Sequence, residues 1–417
     1  FDNLGAVIVD EEHEKSYISE TAPDYDAVET AEKLCEITGA SLVMGSATPS
    51  VRAMYRASRD EIRYSSLRNR AREGSMEPEV SIVDMRKELE EGNRSIFSRP
   101  LYSKMKECLE NGRQIMLFIN RRGYSTFVSC RDCGYVMKCG HCDVSYKYHA
   151  SDNKLVCHYC GDTIDKPETC PVCGSKRIRY FGTGTQKVED EIKKYFPGAS
   201  VIRMDSDTVT GKNGYIDILK KFGDHGADIL VGTQMIAKGH DFENVSLVGV
   251  IAADMSLNTG EYDASERTYQ LITQVAGRAG RGKVRGNVIV QTYTPDNPAV
   301  VAAADGNWRE FYKNEIEYRK NMGYPPCVEY AVLEFTGKDE RSVIEAAHNA
   351  ADELRKYDVK ILGPVPHIVS KVRDEYRWMI TIKHTEAERV KEAVSQVYGG
   401  MAGKFEAAGV YLNPRLL

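Results

Sequence analysis

Residues 5–13 have the sequence Gly-Ala-Val-Ile-Val-Asp-Glu-Glu-His, an apolar run that ends in three adjacent acidic residues. A short run of β-branched residues bounded by polar ones is typical of a buried parallel strand. A second apolar run, Ala-Ser-Leu-Val-Met at 40–44, follows a stretch with helical periodicity. The two runs predict a βαβ fragment.

The same alternation of strands and helices continues along the chain. Further apolar runs predict strands at 115–120, 200–204, 228–232, 247–252 and 287–291. Helical patterns fill the intervals, for example at 186–195 and 215–222. This alternation predicts the α/β class with a doubly wound parallel sheet.

The length of 417 residues suits two to four domains. We expect residues 1–70 to be the C-terminal part of one α/β lobe and residues 71–297 to be a second lobe, interrupted by an insertion at 129–177. A turn-rich segment at 294–298 precedes the third region, 298–417. That region is expected to hold a linker helix and a small α+β domain, with strands at 330–335 and 378–383 and helices at 341–356 and 387–398.

The composition argues against two classes of protein. The formal net charge of −5 disfavours a protein that holds nucleic acid through bulk charge, so any DNA contact has to be local. The sequence contains no apolar run of the roughly 18 residues that a membrane span needs.

The chain starts at Phe1 and leads straight into a strand, and we therefore expect it to be cut from a longer protein.

Eight of the eleven cysteines form four C-x-x-C pairs between Cys130 and Cys173. Without a signal peptide, this pattern indicates metal binding in a reducing cytoplasm rather than disulfides. Iron–sulfur ligation is the chemical alternative, but four separate two-residue knuckles with nearby glycines favour tetrahedral zinc. We predict two zinc ions per chain, with the ligands Cys130, Cys133, Cys139, Cys142, Cys157, Cys160, Cys170 and Cys173.

The sequence between the pairs predicts which of them share a metal ion. An alternating segment at 144–148, a turn at 151–154 and an apolar return predict a β-hairpin. The hairpin brings the pair at 157 and 160 back to the pair at 139 and 142, which form an inner site. The pairs at 130 and 133 and at 170 and 173 then close an outer site.

Asp10 and Glu11 are the candidate catalytic carboxylates, because ligands of open α/β sheets bind at the carboxyl ends of strands. A Walker B interpretation assigns Asp10 to Mg²⁺ and Glu11 to the attacking water in phosphoryl transfer. The alternative is an acidic helix N-terminus stabilised by the helix dipole.

Two further motifs support the phosphoryl-transfer interpretation. Gly-Ser-Ala-Thr-Pro at 45–49 follows the second strand with two hydroxyls in a tight turn. Gln-Val-Ala-Gly-Arg-Ala-Gly-Arg at 274–281 places Arg278 and Arg281 three residues apart beside glycines. Arginines so placed suit the charge that develops on a transferred γ-phosphate.

These motifs resemble motifs II, III and VI of superfamily-2 helicases. More specific are Gly-Thr-Gln-Met-Ile-Ala-Lys-Gly-His at 232–240, Ala-Asp at 253–254, Ala-Ser-Glu-Arg-Thr-Tyr-Gln-Leu at 264–271 and Phe-Ile-Asn-Arg-Arg-Gly-Tyr at 118–124. With the cysteine block, they resemble the PriA family of replication restart helicases over nearly the whole chain. The resemblance implies two RecA-like lobes, the first of them partial, with an inserted two-zinc module.

The resemblance also implies roles for single residues. Arg281 matches the arginine finger and Arg278 its companion on the γ-phosphate. Gly239 and Asp241 fall in motif V, near the nucleotide and the DNA backbone, and Gln274 of motif VI is assigned to the nucleotide site. The family carries an aromatic and basic loop after motif II, but Pro-Asp-Tyr-Asp at 23–26 is acidic here.

The activity implied by the resemblance is that of an ATP-dependent and Mg²⁺-dependent 3′→5′ DNA helicase. It would recognise stalled or repaired forks and single-stranded DNA, and it would start primosome assembly for loading of the replicative helicase. Single-stranded DNA-binding protein and other primosome proteins are the expected partners, in the cytoplasm and at the nucleoid. A double-strand translocase without unwinding activity is a further alternative.

The sequence contains no G-x-x-x-x-G-K-[ST] phosphate-binding loop. Gly-Lys occurs at 211–212, 282–283, 337–338 and 403–404, and none of these pairs is followed by Ser or Thr. Because such a loop cradles the α- and β-phosphates, we expect this chain alone to be inactive. The same observation leaves open a non-enzymatic zinc-bearing nucleic-acid adaptor on a helicase-like scaffold.

Overall fold

The computed structural model describes residues 3–19, 25–67, 77–119, 127–149, 153–180, 184–205, 208–209, 214–233, 236, 242–280 and 285–416. The chain divides into two compact units. One comprises Phe1–Tyr64, His158–Asp162 and Tyr312–Leu417, and the other comprises Ser65–Cys157 and Thr163–Phe311. No helix among the described residues has both the length and the apolar character that a membrane crossing requires.

The N-terminal segment of the first unit is the predicted βαβ fragment, continued by a second helix. Its elements are β1 (Ala6–Asp10), a 3₁₀ turn (Lys15–Tyr17), α1 (Ala27–Thr38), β2 (Ser41–Gly45) and α2 (Val51–Ser58). Strands β1 and β2 pair in parallel, with Asp10 opposite Gly45. Helix α1 begins where the Asp26 side chain accepts hydrogen bonds from two backbone N–H groups, and it ends at Gly39 in the left-handed conformation.

One face of this two-stranded sheet is apolar and exposed. Ile8 and Val43 lie opposite each other in the register, and they are 75% and 51% exposed. Parallel sheets are normally covered on both faces. The β1–β2 face therefore has the character of a surface that packs against further strands or helices.

The second unit is built on a six-stranded, wholly parallel sheet with the order β10-β11-β4-β12-β13-β3. Its strands are β3 (Glu79–Asp84), β4 (Gln114–Phe118), β10 (Val201–Met204), β11 (Ile229–Gly232), β12 (Val245–Val250) and β13 (Asn287–Thr292). The central strand β4 is buried along its whole length. Five strands were predicted from the sequence, whereas the edge strand β3 was not.

Helices flank this sheet and complete the predicted alternation. They are α3 (Met85–Glu90), α4 (Arg99–Glu110), α5 (Thr185–Tyr195), α6 (Gly214–Gly223), α7 (Asp254–Leu257), α8 (Ala264–Ala276) and α9 (Pro298–Ala304). Leu101 and Met105 of α4 and Val188 and Ile192 of α5 are fully buried in one apolar core with the strands. The fold is the RecA-like fold expected of a helicase lobe.

The described residues of the cysteine-rich insertion form short strands and turns. The strands are β5 (Val128–Cys130), β6 (Lys147–His149), β7 (Lys154–Val156), β8 (Thr163–Asp165) and β9 (Ile178–Tyr180). Strands β5 and β9 pair in antiparallel fashion at the two ends of the insertion, and β6 pairs with β7 as the predicted hairpin.

Helix α10 (Trp308–Met322) leads to the C-terminal α+β domain. Its antiparallel sheet has the order β15-β16-β14-β17. The elements are β14 (Glu329–Gly337), α11 (Glu340–Leu354), β15 (Lys360–Val372), β16 (Glu375–His384), α12 (Ala387–Ala407) and β17 (Val410–Leu416). The alanine-rich face of α11 packs with Ile380, Ile382 and Val397 in a single core.

Candidate nucleotide and metal sites

Asp10 and Glu11 stand at the carboxyl end of β1, where the motif predicts them. Asp10 is exposed, and its Oδ1 accepts a hydrogen bond from the backbone N–H of Glu11 at 3.0 Å. Glu11 has a φ of +49°, a left-handed conformation that is uncommon for a residue other than glycine and clusters at functional sites. Carboxylate oxygens such as those of Asp10 and Glu11 suit a hard cation or a water molecule.

His13 and Ser46 join motif II to motif III. Nδ1 of His13 lies 2.8 Å from Oγ of Ser46, and that hydroxyl donates to Oε2 of Glu11 at 3.4 Å. Oγ of Ser46 also accepts from the backbone N–H of Thr48 at 3.0 Å. The Ser46 hydroxyl therefore connects the loop after β2 with Glu11, a role that the sequence did not reveal.

Glu12, the third carboxylate of the motif, has a structural role. Its oxygens accept hydrogen bonds from the backbone N–H of Ser50 at 2.6 Å and from the Ser50 hydroxyl at 3.0 Å. Ser50 is the N-cap of α2 and accepts from the backbone N–H of Ala53 at 3.0 Å. Glu12 thus fixes the start of α2, and this structural role distinguishes it from Asp10 and Glu11.

The loop after motif II was predicted to depart from the family pattern. Pro23 and Asp24 lie outside the described residues. Tyr17 donates its hydroxyl to the backbone carbonyl of Asp10 at 2.7 Å, whereas Tyr25 is exposed and Asp26 caps α1. Tyr17 therefore supports the end of β1.

Motif VI lies at the end of α8. Gln274 and Arg278 are half-buried, and Arg278 follows the helix in a turn closed by its N–H and the carbonyl of Val275 at 3.1 Å. Gly280 has a φ of +73°, and a Cβ built there would lie 2.2 Å from the backbone nitrogen of Gly286. Only glycine fits this close approach of two backbone segments. Arg281, Gly239 and Asp241 lie outside the described residues.

Asp254 belongs to the Ala-Asp pair at 253–254, one of the motifs that resemble the PriA family. Its carboxylate is buried within the second unit. Its carboxylate accepts hydrogen bonds from the backbone N–H of Tyr293 at 3.0 Å and from the hydroxyls of Thr292 and Thr294 at 3.1 and 3.0 Å. Burial raises the pKa of Asp254, and these hydrogen bonds oppose that rise. The residue ties the segment after β12 to the end of β13.

The cysteines form two groups of four, with the predicted partners in each. The outer group is Cys130, Cys133, Cys170 and Cys173, the inner group is Cys139, Cys142, Cys157 and Cys160, and the Sγ atoms within each lie within 4.8 Å of one another. Two Sγ pairs of the outer group are 3.6 Å apart. Tetrahedral zinc with Zn–S bonds of about 2.3 Å requires Sγ–Sγ distances of about 3.8 Å, so the four cysteines fit this ion.

A left-handed residue follows each knuckle and lets the chain turn back. These residues are Gly134, Asp143, Gly161 and Gly174. The turn after the first outer knuckle lies close to the end of β13, because a Cβ on Gly134 would lie 2.3 Å from the carbonyl oxygen of Tyr293. The guanidinium of Arg131 lies over the Tyr293 ring at 4.9 Å.

The basic and aromatic residues near the β15–β16 turn serve partly as structure. Nζ of Lys371 lies 4.8 Å from the centroid of the Tyr376 ring. Arg377 forms an ion pair with the buried carboxylate of Glu334. This pair lies between the paired strands β14 and β16, so the Arg377 guanidinium is engaged within the sheet.

Three family models match this chain. They are the primosomal protein N C-terminal domain at residues 320–407, the PriA DNA helicase Cys-rich region domain at 139–164 and the helicase conserved C-terminal domain at 172–283.

Curated relatives cover almost the whole chain. The replication restart protein PriA of Bacillus subtilis is 44% identical over 400 residues, which cover 95% of this chain and 50% of that protein. PriA of Synechocystis is 42% identical over 416 residues, again covering 95% of this chain and 50% of the relative. Among solved structures, S. cerevisiae Dbp5 bound to RNA and ADP BeF3 covers 76% of this chain and 62% of its own, with 12% identity and a TM-score of 0.39. The chain spans about half the length of the curated relatives it matches. Its motifs, its cysteine-rich module and its C-terminal domain place it in the PriA family of replication restart proteins.

Proposed function

We propose that the protein to which this chain belongs is an ATP-dependent 3′→5′ DNA helicase of replication restart. It acts on stalled or repaired forks and initiates primosome assembly for loading of the replicative helicase. The observation that carries the proposal is the end of β1, where Asp10 is exposed and Glu11 is held at a φ of +49° beside the motif III hydroxyl of Ser46. This arrangement supports two separate roles for the two carboxylates.

In this proposal Asp10 holds Mg²⁺, and Glu11 positions the attacking water and accepts its proton. Arg281 acts as the arginine finger on the γ-phosphate, with Arg278 beside it. Gly239, Asp241 and Gln274 contribute to the nucleotide site. These assignments rest on the motifs and on the positions of the described residues Asp10, Glu11, Gln274 and Arg278 at the ends of their elements.

We assign residues 1–70 to the first helicase lobe, 71–297 to the second lobe with the zinc module at 129–177, and 298–417 to the linker helix and a C-terminal DNA-binding domain. Zinc occupies both cysteine groups. The exposed apolar face around Ile8 and Val43 supports a first lobe with further strands and helices over it. Because this sequence has no phosphate-binding loop, the proposal expects the chain alone not to turn over ATP.

The proposed ligands are forked and single-stranded DNA, and the proposed partners are single-stranded DNA-binding protein and other primosome proteins. The proposed location is the cytoplasm, at the nucleoid. Since the net charge is −5, DNA contacts are confined to local surfaces.

A strand-displacement assay on forked DNA tests the proposal with the full-length protein. ATP-dependent unwinding of a fork with a 3′ single-stranded tail, and not of a matched 5′-tailed substrate, is the expected result. Movement along duplex DNA without unwinding would indicate the translocase alternative. DNA binding without ATP turnover in the full-length protein would indicate the non-enzymatic adaptor.

A further inference from the structure

The edge of the C-terminal sheet is contacted by a turn of the inner cysteine group. Strand β15 lies at one edge of the sheet, and a backbone group at such an edge needs a partner from outside the sheet or from water. The carbonyl oxygen of Pro366 in β15 accepts a hydrogen bond from Nδ1 of His158 at 3.0 Å. His158 is only 6% exposed, so this contact is shielded from solvent.

Two further contacts hold the same turn, residues 158–161, against this domain. Gly161 has a φ of +79°, and a Cβ built there would lie 2.9 Å from Cγ1 of Val365. The ring of Tyr159 meets the ring of Tyr324 edge to face, with centroids 6.1 Å apart. Tyr324 is itself buried, and the centroid of its ring lies 4.4 Å from Nζ of Lys383.

Within the part of the chain that the structure describes, Gly140 and His141 of the companion knuckle show none of these contacts. Gly140 holds the position of His158, and a Cβ built there would meet nothing within 4 Å. His141 holds the position of Tyr159 in that knuckle, and it is exposed. Asp143 holds the position of Gly161 in that knuckle and is left-handed as well, so the left-handed turn belongs to the knuckle itself. The contacts with Pro366, Tyr324 and Val365 are what distinguish the 158–161 turn.

We propose that the inner zinc site is a clamp on the C-terminal sheet. The two cysteines that flank the turn, Cys157 and Cys160, are held by the metal, and this fixes the backbone shape that brings His158, Tyr159 and Gly161 onto β15 and Tyr324. Zinc at the inner site therefore stabilises the edge strand of the C-terminal domain, whereas zinc at the outer site does not. This inference does not depend on ATP hydrolysis.

Hydrogen exchange measured by mass spectrometry tests the clamp on the 417-residue chain loaded with zinc. Cys160→Ser removes an inner ligand, and Cys173→Ser is the matched outer control. We expect exchange of the peptides covering β15 to rise about tenfold or more in Cys160→Ser, from the loss of a buried hydrogen bond and an aromatic contact. Exchange in β17, at the opposite edge of the sheet, should stay within about twofold and thereby exclude global unfolding.

Equal exchange of β15 in the two cysteine variants would overturn the inference. A second pair of variants leaves every ligand in place. Gly161→Ala should raise β15 exchange, whereas Gly174→Ala, at the left-handed glycine after Cys173 with nothing within 4 Å of its Cβ position, should not; two zinc ions per chain should be retained in both. If Gly161→Ala loses zinc, the double variant Gly161→Ala/Val365→Ala decides between the two explanations, because Val365→Ala removes the methyl groups that a Cβ on residue 161 would meet. Return of β15 exchange to its original rate in the double variant supports the clamp. Exchange that stays fast contradicts it.

Discussion

Replacing Glu12 with alanine should loosen the start of helix α2 without removing Asp10 or Glu11, the two carboxylates proposed to serve catalysis. The two oxygens of Glu12 accept hydrogen bonds from the N–H and the hydroxyl of Ser50 at 2.6 and 3.0 Å. Ser50 in turn caps α2 through the N–H of Ala53. Among the described residues, the side-chain contacts of Glu11 are longer: its Oε2 lies 3.4 Å from the Ser46 hydroxyl and 3.5 Å from Nδ1 of His13.

The size of the effect follows from these contacts. A hydrogen bond to a charged group contributes about 1.5–3 kcal/mol and a serine cap about 1 kcal/mol. Since Glu12 and Ser50 are half-buried, we discount this sum and expect a loss of about 2 kcal/mol in the local stability of α2. That loss corresponds to about 30-fold faster amide exchange in α2, given tenfold per 1.4 kcal/mol.

Hydrogen exchange of the peptide covering Val51–Ser58 measures this effect, with Glu11→Ala as the matched control. We expect exchange in the control to stay within about threefold of the unmodified chain. Equal acceleration in both variants, or none in Glu12→Ala, would refute the division of the acidic cluster into a structural and a catalytic part.

Three further predictions concern the remaining motifs. Metal analysis should find two zinc ions per chain. A chelator should remove the outer ion first, because Cys173 is exposed whereas three inner cysteines are buried. A single zinc ion per chain, or loss of the inner ion first, would contradict this prediction. Gly280→Ala should destabilise the second unit by about 2 kcal/mol or more in denaturant unfolding, because its Cβ would meet the backbone of Gly286 at 2.2 Å in a left-handed turn. A neutral effect would show that the turn relaxes freely. In the full-length protein Arg281→Ala should lower ATP turnover by about 10³-fold with DNA affinity nearly unchanged. Retained turnover would move the finger role to Arg278.

The sequence predicted the elements whose patterns are local. The apolar runs before Asp10 and Gly45 became β1 and β2, and the hairpin between Cys142 and Cys157 correctly grouped the cysteines. In each case a single stretch of chain carries the necessary signal, either a buried run or an alternation bounded by a turn. Parallel pairing then followed from the alternation of strands and helices.

The sequence did not reveal features that depend on distant parts of the chain. Strand β3 is an edge strand with a half-polar sequence, and it forms because β13 offers it a partner. Helix α12 continues through Gly399 and Gly400, although glycine disfavours helix interiors, because Val394, Val397 and Phe405 pack into the C-terminal core. The hydrogen bonds of Glu12 with Ser50 and of His158 with Pro366 join residues 38 and 208 positions apart. No periodicity or spacing encodes such contacts.

The carboxylates at the end of β1 are the centre of the functional proposal, and phosphate release measured on the full-length protein tests them most directly. The unmodified protein should release phosphate from ATP faster when single-stranded DNA is present. Glu11→Gln should lower that rate by about 10²-fold or more, since it removes the group that activates water, while Asp10 keeps Mg²⁺ and the nucleotide bound. DNA-stimulated phosphate release that survives Glu11→Gln at an undiminished rate would contradict the assignment of this site.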